Sequence, residues 1–191
     1  MTPLSQSVPT SAAEKQVLLD LLIASRERFL SSFAGVTEEE SRRHPSAGCW
    51  SVLDCVEHIA GAEATMLRLV KETRRPRSAE APNREQFFFD RMGSRARKVE
   101  APENGKPTGR FASLSDAAEH FANARGATMA FLEQNTEDLR ATEVTHPVSL
   151  VGNVSSFEML IIMARHAERH AAQIEEIRIT LATQAMAGGA A

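Results

Sequence analysis

Several residue types that would point to particular protein classes are scarce in this chain. Tyrosine is absent, there is one tryptophan, and aromatic residues make up 5% of the sequence. The two cysteines, Cys49 and Cys55, are too few for a disulfide framework and lie too close along one helix start to pair. No uninterrupted apolar stretch approaches the roughly 20 residues that a membrane-spanning helix needs. These absences exclude a disulfide-rich protein and argue against a membrane-embedded one.

The charge balance argues against a nucleic acid partner. Lys and Arg number 22 against 25 Asp and Glu, which gives a net charge of -3 and a pI of about 6.1. Nucleic-acid-binding proteins usually carry a clustered basic surface, and the one basic cluster here, residues 71–77, is short and contains Pro76. The N-terminus also lacks the basic region and apolar run of a secretory signal. We therefore expect a cytoplasmic protein with no nucleic acid and no membrane partner.

The apolar residues that are present recur with helical periodicity, and no alternating strand pattern stands out. Ser followed three residues later by Glu or Asp, a capping box, marks several helix starts. Four long helices are predicted, at residues 11–33, 51–73, 115–134 and 155–183. The chain is thus expected to be all-α, with one domain over residues 11–183. A disordered N-terminus (1–10) and a frayed tail (184–191) would flank it.

A long connection separates the second and third predicted helices. Residues 74–113 hold four of the eight prolines. A tight turn would make the two helices antiparallel, whereas a connection this long can cross the bundle and make them parallel. Within it, Phe87-Phe88-Phe89 predicts a short helix whose aromatic rings plug one end of the core. The predicted fold is therefore a four-helix bundle with a long crossover between helices two and three.

Two histidines lie one helical turn apart in the fourth predicted helix. His166 and His170 fall within or beside the apolar stripe of that helix. Residues four apart share a helix face, and neutral imidazole is a common ligand of zinc, nickel and similar ions. The pair could therefore hold one metal ion. The same spacing also arises by chance, and two buried histidines could instead share hydrogen bonds.

A metal site of this kind needs a third ligand, and His58 is the best candidate. It lies on the second helix, on a flank that is otherwise apolar or small, so we expect it to face a groove between helices. Three histidines with an open fourth position describe a catalytic type of zinc site. The fourth position is left to water or to the thiolate of Cys55, although cysteine in a helix usually serves as a small buried hydrophobe.

Other polar or aromatic residues near these positions receive supporting roles. Asp54, Glu57 and Gln173 could hydrogen-bond the imidazoles and so select their tautomers. Glu63, on the apolar face of the second helix, is interpreted as a rim residue or as half of an ion pair with a neighbouring helix. Trp50 is expected to staple its helix to the neighbouring helices, with substrate stacking as the alternative. The remaining histidines are assigned to loops or the rim: His44, His120 and His146.

Two stretches resemble the signatures of the DinB-like superfamily. Gly48-Cys-Trp-Ser-Val-Leu-Asp-Cys-Val-Glu-His-Ile59 is similar to a helix-two signature in which Gly-x-Trp-Ser leads to a metal-binding histidine. His166-Ala-Glu-Arg-His-Ala-Ala-Gln-Ile174 is similar to a second signature, two histidines four apart followed by Gln-Ile. Residues 107–111 resemble the family more weakly. The resemblance covers residues 12–183.

The resemblance implies a function as well as a fold. It implies a divalent metal, often zinc or nickel, held by histidines that match His58, His166 and His170, and a homodimer. Members with known activity include transferases that conjugate bacillithiol, mycothiol or glutathione, and a maleylpyruvate isomerase. The leading hypothesis is therefore a metal-dependent enzyme of the thiol-dependent S-transferase type, acting on a small molecule with a low-molecular-weight thiol. The alternatives are a metal-dependent hydrolase, with Asp54 or Glu57 as proton acceptor, and a non-catalytic metal-binding stress-response module.

Overall fold

Serine side chains define where the long helices begin. In this computed structural model, which describes residues 9–97 and 99–188, the Ser11 and Ser51 hydroxyls accept the backbone N–H three residues on. The acidic side chains at those positions accept the serine N–H in return, and Ser155 forms the same box. Each box satisfies two N–H groups that would otherwise lack partners. The helices of the described residues are α1 Ala12–Ser32, α2 Glu38–Ser41, α3 Val52–Glu72, α4 Glu85–Arg91, α5 Leu114–Gln134 and α6 Ser156–Gly188.

Helices α1, α3, α5 and α6 form a four-helix bundle around two apolar clusters. The first cluster joins the beginnings of α1 and α6 to the ends of α3 and α5, and includes Leu18, Leu22, Val70, Leu132 and Met159. The second joins the ends of α1 and α6 to the beginnings of α3 and α5, and includes Phe29, Val52, Ala117, Phe121 and Ile177. Therefore α3 runs parallel to α5, and α1 runs parallel to α6. This confirms the predicted bundle with its crossover.

The crossover between α3 and α5 contains α4 and a 3₁₀ turn, Glu103–Gly105. The prediction that all three phenylalanines plug the core is wrong, because only Phe88 is buried. Phe87 and Phe89 are 58% and 40% exposed. A helix places consecutive residues about 100° apart around its axis, so three adjacent rings cannot share one face.

A small sheet accompanies the helices of the predicted all-α fold. Strands β1 (Arg75–Pro76), β2 (Thr142–Thr145) and β3 (Asn153–Ser155) pair antiparallel in the order β1-β2-β3. Val144 pairs with Val154, and both are buried against the first apolar cluster. Segments of two to four residues are too short to show a convincing alternation. The sheet closes one end of the bundle without changing its helical class.

The ends of the domain differ from the predicted boundaries. Thr10 is buried, and its hydroxyl accepts the backbone N–H of Leu139 at 2.9 Å, so the described chain is held one residue before the predicted domain start. Residues 184–188, predicted as a frayed tail, continue α6 because alanine, glutamine and methionine favour helix. Residues 1–8 and 189–191 of the predicted tails lie outside the described residues. None of the described helices is long and apolar enough to cross a bilayer.

A buried polar network ties the four long helices together. Arg125 of α5 is fully buried and donates to the Glu63 carboxylate of α3 at 2.7 and 3.0 Å. Thr128 donates to the same carboxylate at 2.9 Å. Arg125 also donates to three acceptors on α1 and α6: the Leu22 carbonyl, the Ser25 hydroxyl and the Met163 carbonyl. Glu63 is thus half of an interhelical ion pair, one of the two roles that its position predicts.

Removing one partner of this pair should destabilise the bundle strongly. In Glu63→Gln the Arg125 guanidinium stays buried without its countercharge, and we expect the free energy of unfolding to fall by about 3–5 kcal/mol. Urea unfolding followed by circular dichroism measures the loss. The matched control is Arg68→Gln, which removes an exposed pair with Glu72 and should change stability by less than about 1 kcal/mol. Similar losses in the two variants would contradict the role assigned to the network.

Candidate metal centre

Three imidazoles meet in the groove between α3 and α6. His58 comes from α3, and His166 and His170 lie one turn apart on α6. Each offers a ring nitrogen, and the three nitrogens lie within 4.8 Å of one another. The Nε2 atoms of His58 and His166 are 3.2 Å apart. The structure therefore brings together the three histidines that the sequence predicts as metal ligands.

Small side chains allow the two helices to approach at this level. Ala167 and Ala171 of α6 are fully buried in the same apolar cluster as Cys55 and Val56 of α3. The histidines lie at the border of this cluster: His58 and His170 are buried, and His166 keeps partial exposure. The cluster of imidazoles is thus enclosed on the core side and reachable from the groove.

The tautomer of His58 follows from its contact with the crossover. Its Nδ1 atom lies 2.6 Å from the Gly105 carbonyl oxygen, which can only accept a hydrogen bond. The proton of the neutral ring must therefore sit on Nδ1, and Nε2 presents its lone pair towards His166. A histidine whose outer nitrogen donates to a backbone carbonyl is oriented as metal-ligating histidines usually are.

Glu57 holds the loop that carries this carbonyl. The carboxylate is buried and accepts the backbone N–H groups of Thr108, Gly109 and Arg110 at 2.6–3.1 Å, together with the Thr108 hydroxyl and Arg110 Nε. Although burial opposes it, these hydrogen bonds and the Arg110 charge keep the pKa of Glu57 below its ordinary value. Glu57 therefore acts on His58 through the loop, and not by the direct hydrogen bond that its position in the sequence suggests.

Burial keeps all three imidazoles neutral. Loss of solvent lowers the pKa of His58 and places the pKa values of His166 and His170 well below the ordinary value. Nearby cations add to this effect: Arg110 acts on His58, and Arg169 acts on the other two. Neutral imidazole is the form that binds metal, so the cluster is ready for an ion near pH 7 without losing protons.

The donor set fits a divalent cation. Two ligands of a tetrahedral zinc, each about 2.0–2.1 Å from the ion, lie about 3.3 Å apart, and the His58–His166 separation is 3.2 Å. Among the described residues, buried Nδ1 of His170 has no hydrogen-bond partner, which is uncommon for a buried polar atom. Nitrogen donors of this kind suit zinc, nickel and neighbouring metals.

Trp50, the one tryptophan of the chain, forms a wall of the cluster. Its ring lies parallel to His170 within 19°, with centroids 5.9 Å apart, and 4.9 Å from the centroid of His58. From the sequence its expected role is to staple α3, and its position immediately before the Ser51 cap agrees with that. The stacking on His170 depends on how α6 packs, which the local sequence does not show.

Two further residues predicted to hydrogen-bond the imidazoles have other partners. The Asp54 carboxylate accepts the Ser51 N–H at 2.8 Å as part of the capping box. The Gln173 side-chain oxygen accepts from Arg95 at 3.1 Å. In the described part of the chain neither of them hydrogen-bonds to a histidine of the cluster. Both lie close to the histidines along their helices, but the Asp54 side chain caps α3 and the Gln173 side chain binds the crossover.

Cys55 and the remaining histidines lie apart from the cluster. Within the described chain the grouping contains the three imidazoles alone. Cys55 is fully buried in the apolar cluster, where burial raises the pKa of its thiol and so favours the uncharged form. His44 approaches the Cys49 carbonyl, His120 packs on Phe111, and His146 accepts the Val148 N–H.

The crossover also reaches the α6 side of the groove. Arg95 donates to Gln173 and pairs with Glu176 at 2.7 Å. Arg169 donates to the Arg97 carbonyl at 2.6 Å. Together with the Gly105 contact on α3, these bonds make the crossover an outer wall of the site. Long-range contacts of a loop leave no periodic signal, so sequence reasoning missed them.

The fold and the cluster define a class of helical bundles in which two facing helices bring three histidines together. The family model of the DinB superfamily matches residues 21–174 of this chain. The chain belongs to that superfamily, as the resemblance of its two signatures implied.

Similar proteins come from two bacteria. YuaE of Bacillus subtilis (strain 168), an uncharacterised protein, is 24% identical over 144 residues, which cover 75% of this chain and 86% of YuaE. YfiT from Bacillus subtilis, a probable metal-dependent hydrolase with an unusual four-helix bundle topology, is 17% identical with a TM-score of 0.60, covering 94% of this chain and 96% of YfiT. A conserved protein from Enterococcus faecalis is 16% identical with a TM-score of 0.58, and the match covers 86% of this chain and 95% of that protein. The two solved structures support the fold.

Acidification should destabilise the metal-free protein. The folded-state pKa values of the cluster are lowered, whereas histidines of the unfolded chain titrate near 6.5. The unfolded state thus binds more protons below about pH 6.5, so this stabilisation is complete above that pH and is lost as the pH falls towards the folded-state pKa values. We expect the free energy of unfolding to drop on acidification by at most about 1.4 kcal/mol per pH unit for each histidine.

Urea unfolding at about pH 7.5 and about pH 5.5, after removal of metal by a chelator, measures this drop. His170→Asn removes one of the three groups and should give a shallower dependence. His120→Asn changes an exposed imidazole and serves as the control, with the wild-type dependence retained. A wild-type stability that does not change over this range would show that burial does not hold the cluster neutral.

Proposed function

We propose that His58, His166 and His170 hold a divalent cation, zinc or nickel, and that the protein is a metal-dependent enzyme of the thiol-dependent S-transferase type. The observation that carries the proposal is the convergence of three neutral imidazole nitrogens within 4.8 Å. Three histidines leave one position of a tetrahedral site for a reactant, which distinguishes catalytic from structural zinc sites.

The residues of the groove prepare the site for a thiol. A bound cation supplies Lewis acidity at the remaining position, where it lowers the pKa of a thiol and favours the nucleophilic thiolate. Gly105 keeps the ligand nitrogen of His58 unprotonated, and Trp50 offers a flat apolar face beside His58 and His170. In the reaction the sulfur forms a bond to an electrophilic carbon, the leaving group departs with its electron pair, and the thiol proton passes to solvent.

The contacts of the nearby carboxylates favour a thiol over water as the reactant. Hydrolysis benefits from a protein base within hydrogen-bond reach of the attacking water. The two predicted bases are occupied, Asp54 by the cap of α3 and Glu57 by the crossover loop. A thiol loses its proton more easily and has less need of such a base. The alternative, a metal-dependent hydrolase, is supported by the description of YfiT, although the likeness to that structure is one of fold.

Loss of one imidazole should weaken metal binding. His166→Ala leaves two nitrogen donors, and we expect zinc affinity to fall by at least about tenfold, the low end of what even supporting residues contribute. Because Trp50 is the one tryptophan and packs on His58 and His170, its fluorescence reports a zinc titration directly. Competition with a chromophoric chelator gives the dissociation constant. His120→Ala is the control and should bind zinc as the wild type does. Unchanged affinity in His166→Ala would refute the ligand assignment.

Turnover should depend on both metal and thiol. We expect zinc- or nickel-loaded protein to conjugate 1-chloro-2,4-dinitrobenzene with one of glutathione, bacillithiol or cysteine, and expect His58→Ala to lower the rate by at least about tenfold. A parallel assay offers p-nitrophenyl acetate as an ester substrate. Mass spectrometry of the products shows whether the protein forms a thioether from the first substrate or hydrolyses the ester. Metal-dependent ester hydrolysis without thioether formation would contradict the proposed transferase function and support the hydrolase alternative. Metal binding with neither reaction would favour the non-catalytic module.

A further inference from the structure

Arg169 carries a positive charge beside the histidine cluster, on a side chain that is mostly buried. Arg169 is 9% exposed. It lies one residue before His170 and three residues after His166. Residues three apart on a helix have Cβ atoms about 5–6 Å apart. The structure gives the guanidinium one hydrogen bond, from Nη2 to the Arg97 carbonyl at 2.6 Å. The other four of its five N–H donors have no partner among the described residues, and the nitrogens Nε and Nη1 keep contact with solvent.

Arg169 forms no ion pair among the described residues. Burial and the Arg95 charge lower the pKa of Arg169, and the more distant Glu176 offsets this only in part. Among the described residues no carboxylate lies within 4.0 Å of Arg169, whereas the neighbouring acids are paired with other cations. The Glu176 carboxylate accepts hydrogen bonds from Nε and Nη2 of Arg95 at 3.3 and 2.7 Å. Glu168 takes Arg165 at 2.6 Å. The α6 wall of the groove therefore holds one more positive charge than its carboxylates neutralise.

The Arg169 side chain is largely withdrawn from water, and its single hydrogen bond replaces only part of the lost solvation. Charged side chains are almost never buried without a partner, because desolvation is only offset by a countercharge or hydrogen bonds. Arg125 shows the ordinary solution in this same molecule, since its buried guanidinium has Glu63 as a bidentate partner. Arg169 lacks such a partner within the described chain, and it lies where a reactant would approach the cluster.

We propose that Arg169 binds a carboxylate of the substrate, so that this site takes an anionic small molecule. Guanidinium is the side chain whose planar donors best match a carboxylate. A carboxylate held at Arg169 places the remainder of a small molecule beside His166 and His170, which lie within one helical turn of Arg169. The inference rests on the proposed function in placing the reacting atom at the histidine cluster, and it adds the substrate class and the residue that selects it.

Two thiols of similar size and different charge test the selection. We expect zinc-loaded wild type to bind 3-mercaptopropionate about tenfold more tightly than 3-mercapto-1-propanol at constant ionic strength, the scale of one charge-assisted hydrogen bond. Trp50 fluorescence reports both titrations. Arg169→Gln should bring the two affinities within about twofold of each other without weakening the neutral thiol, and Arg169→Lys should restore part of the preference.

Arg178→Gln is the matched control for these variants. Arg178 lies on the same helix, roughly two turns beyond His170, and likewise donates to one backbone carbonyl, that of Ser32 at 2.6 Å. Its replacement should leave the preference for the carboxylate unchanged. A wild type that binds the two thiols equally, or an Arg169→Gln variant that keeps the preference, would overturn the proposal.

A second probe separates this inference from the proposed reaction. Succinate should raise the melting temperature of metal-free wild type more than succinamide does, because the guanidinium charge does not require the metal. Arg169→Gln should lose this difference, while Arg178→Gln keeps it. If neither thiol binds but the succinate difference depends on Arg169, the thiol reaction fails and the anion site stands. If succinate and succinamide act alike on wild type, which needs no variant to fold, the anion site is wrong whatever the thiols do.

Discussion

The Arg125 guanidinium donates from α5 to acceptors on each of the other three long helices. Two bonds reach Glu63 on α3, two reach α1, and one reaches the Met163 carbonyl on α6. Desolvating this pair costs several kcal/mol, which only a complete set of partners offsets. Small slips of any helix would break hydrogen bonds in a dry environment, so the network selects one register. Because His166 follows Met163 by less than one turn, that register also places the α6 histidines opposite His58.

The chemistry of the cluster follows from a local shortage of negative charge. Burial and neighbouring cations disfavour protons on the imidazoles, and the carboxylates that could reverse this effect are held elsewhere. Glu57 is occupied by the loop, Asp54 by the cap, and Glu63 by its ion pair. The lone pairs of the neutral imidazoles, and not the surrounding charges, are what the proposed divalent cation would bind. The positive side chains around them oppose protonation and would favour the proposed anionic reactant. The neutral state of the imidazoles and the proposed preference for an anion thus have one electrostatic cause.

Local signals predicted much of this molecule. Capping boxes at Ser11 and Ser51 are contained in four residues, and helical periodicity placed His58, His166 and His170 on inward faces, so both could be inferred without tertiary information. The partner of Glu63 could not be inferred in this way, because Arg125 lies 62 residues away on another helix. An ion pair between helices follows no fixed spacing in the sequence. The short strands β2 and β3 near Val144 could not be predicted either, because segments of three or four residues are too short to show an alternating pattern.

The crossover is the part of the site that sequence reasoning described least well. Its length predicts the topology, since parallel α3 and α5 cannot be joined by a tight turn. In the structure the same segment orients His58 through Gly105, contacts Arg169 through the Arg97 carbonyl, and engages Gln173 through Arg95. Helices therefore supply the ligands, while an irregular segment supplies the groups that surround them. A change in the crossover is therefore expected to alter the surroundings of the cluster and, through Gly105, the orientation of His58, while α3 and α6 keep the three histidines together.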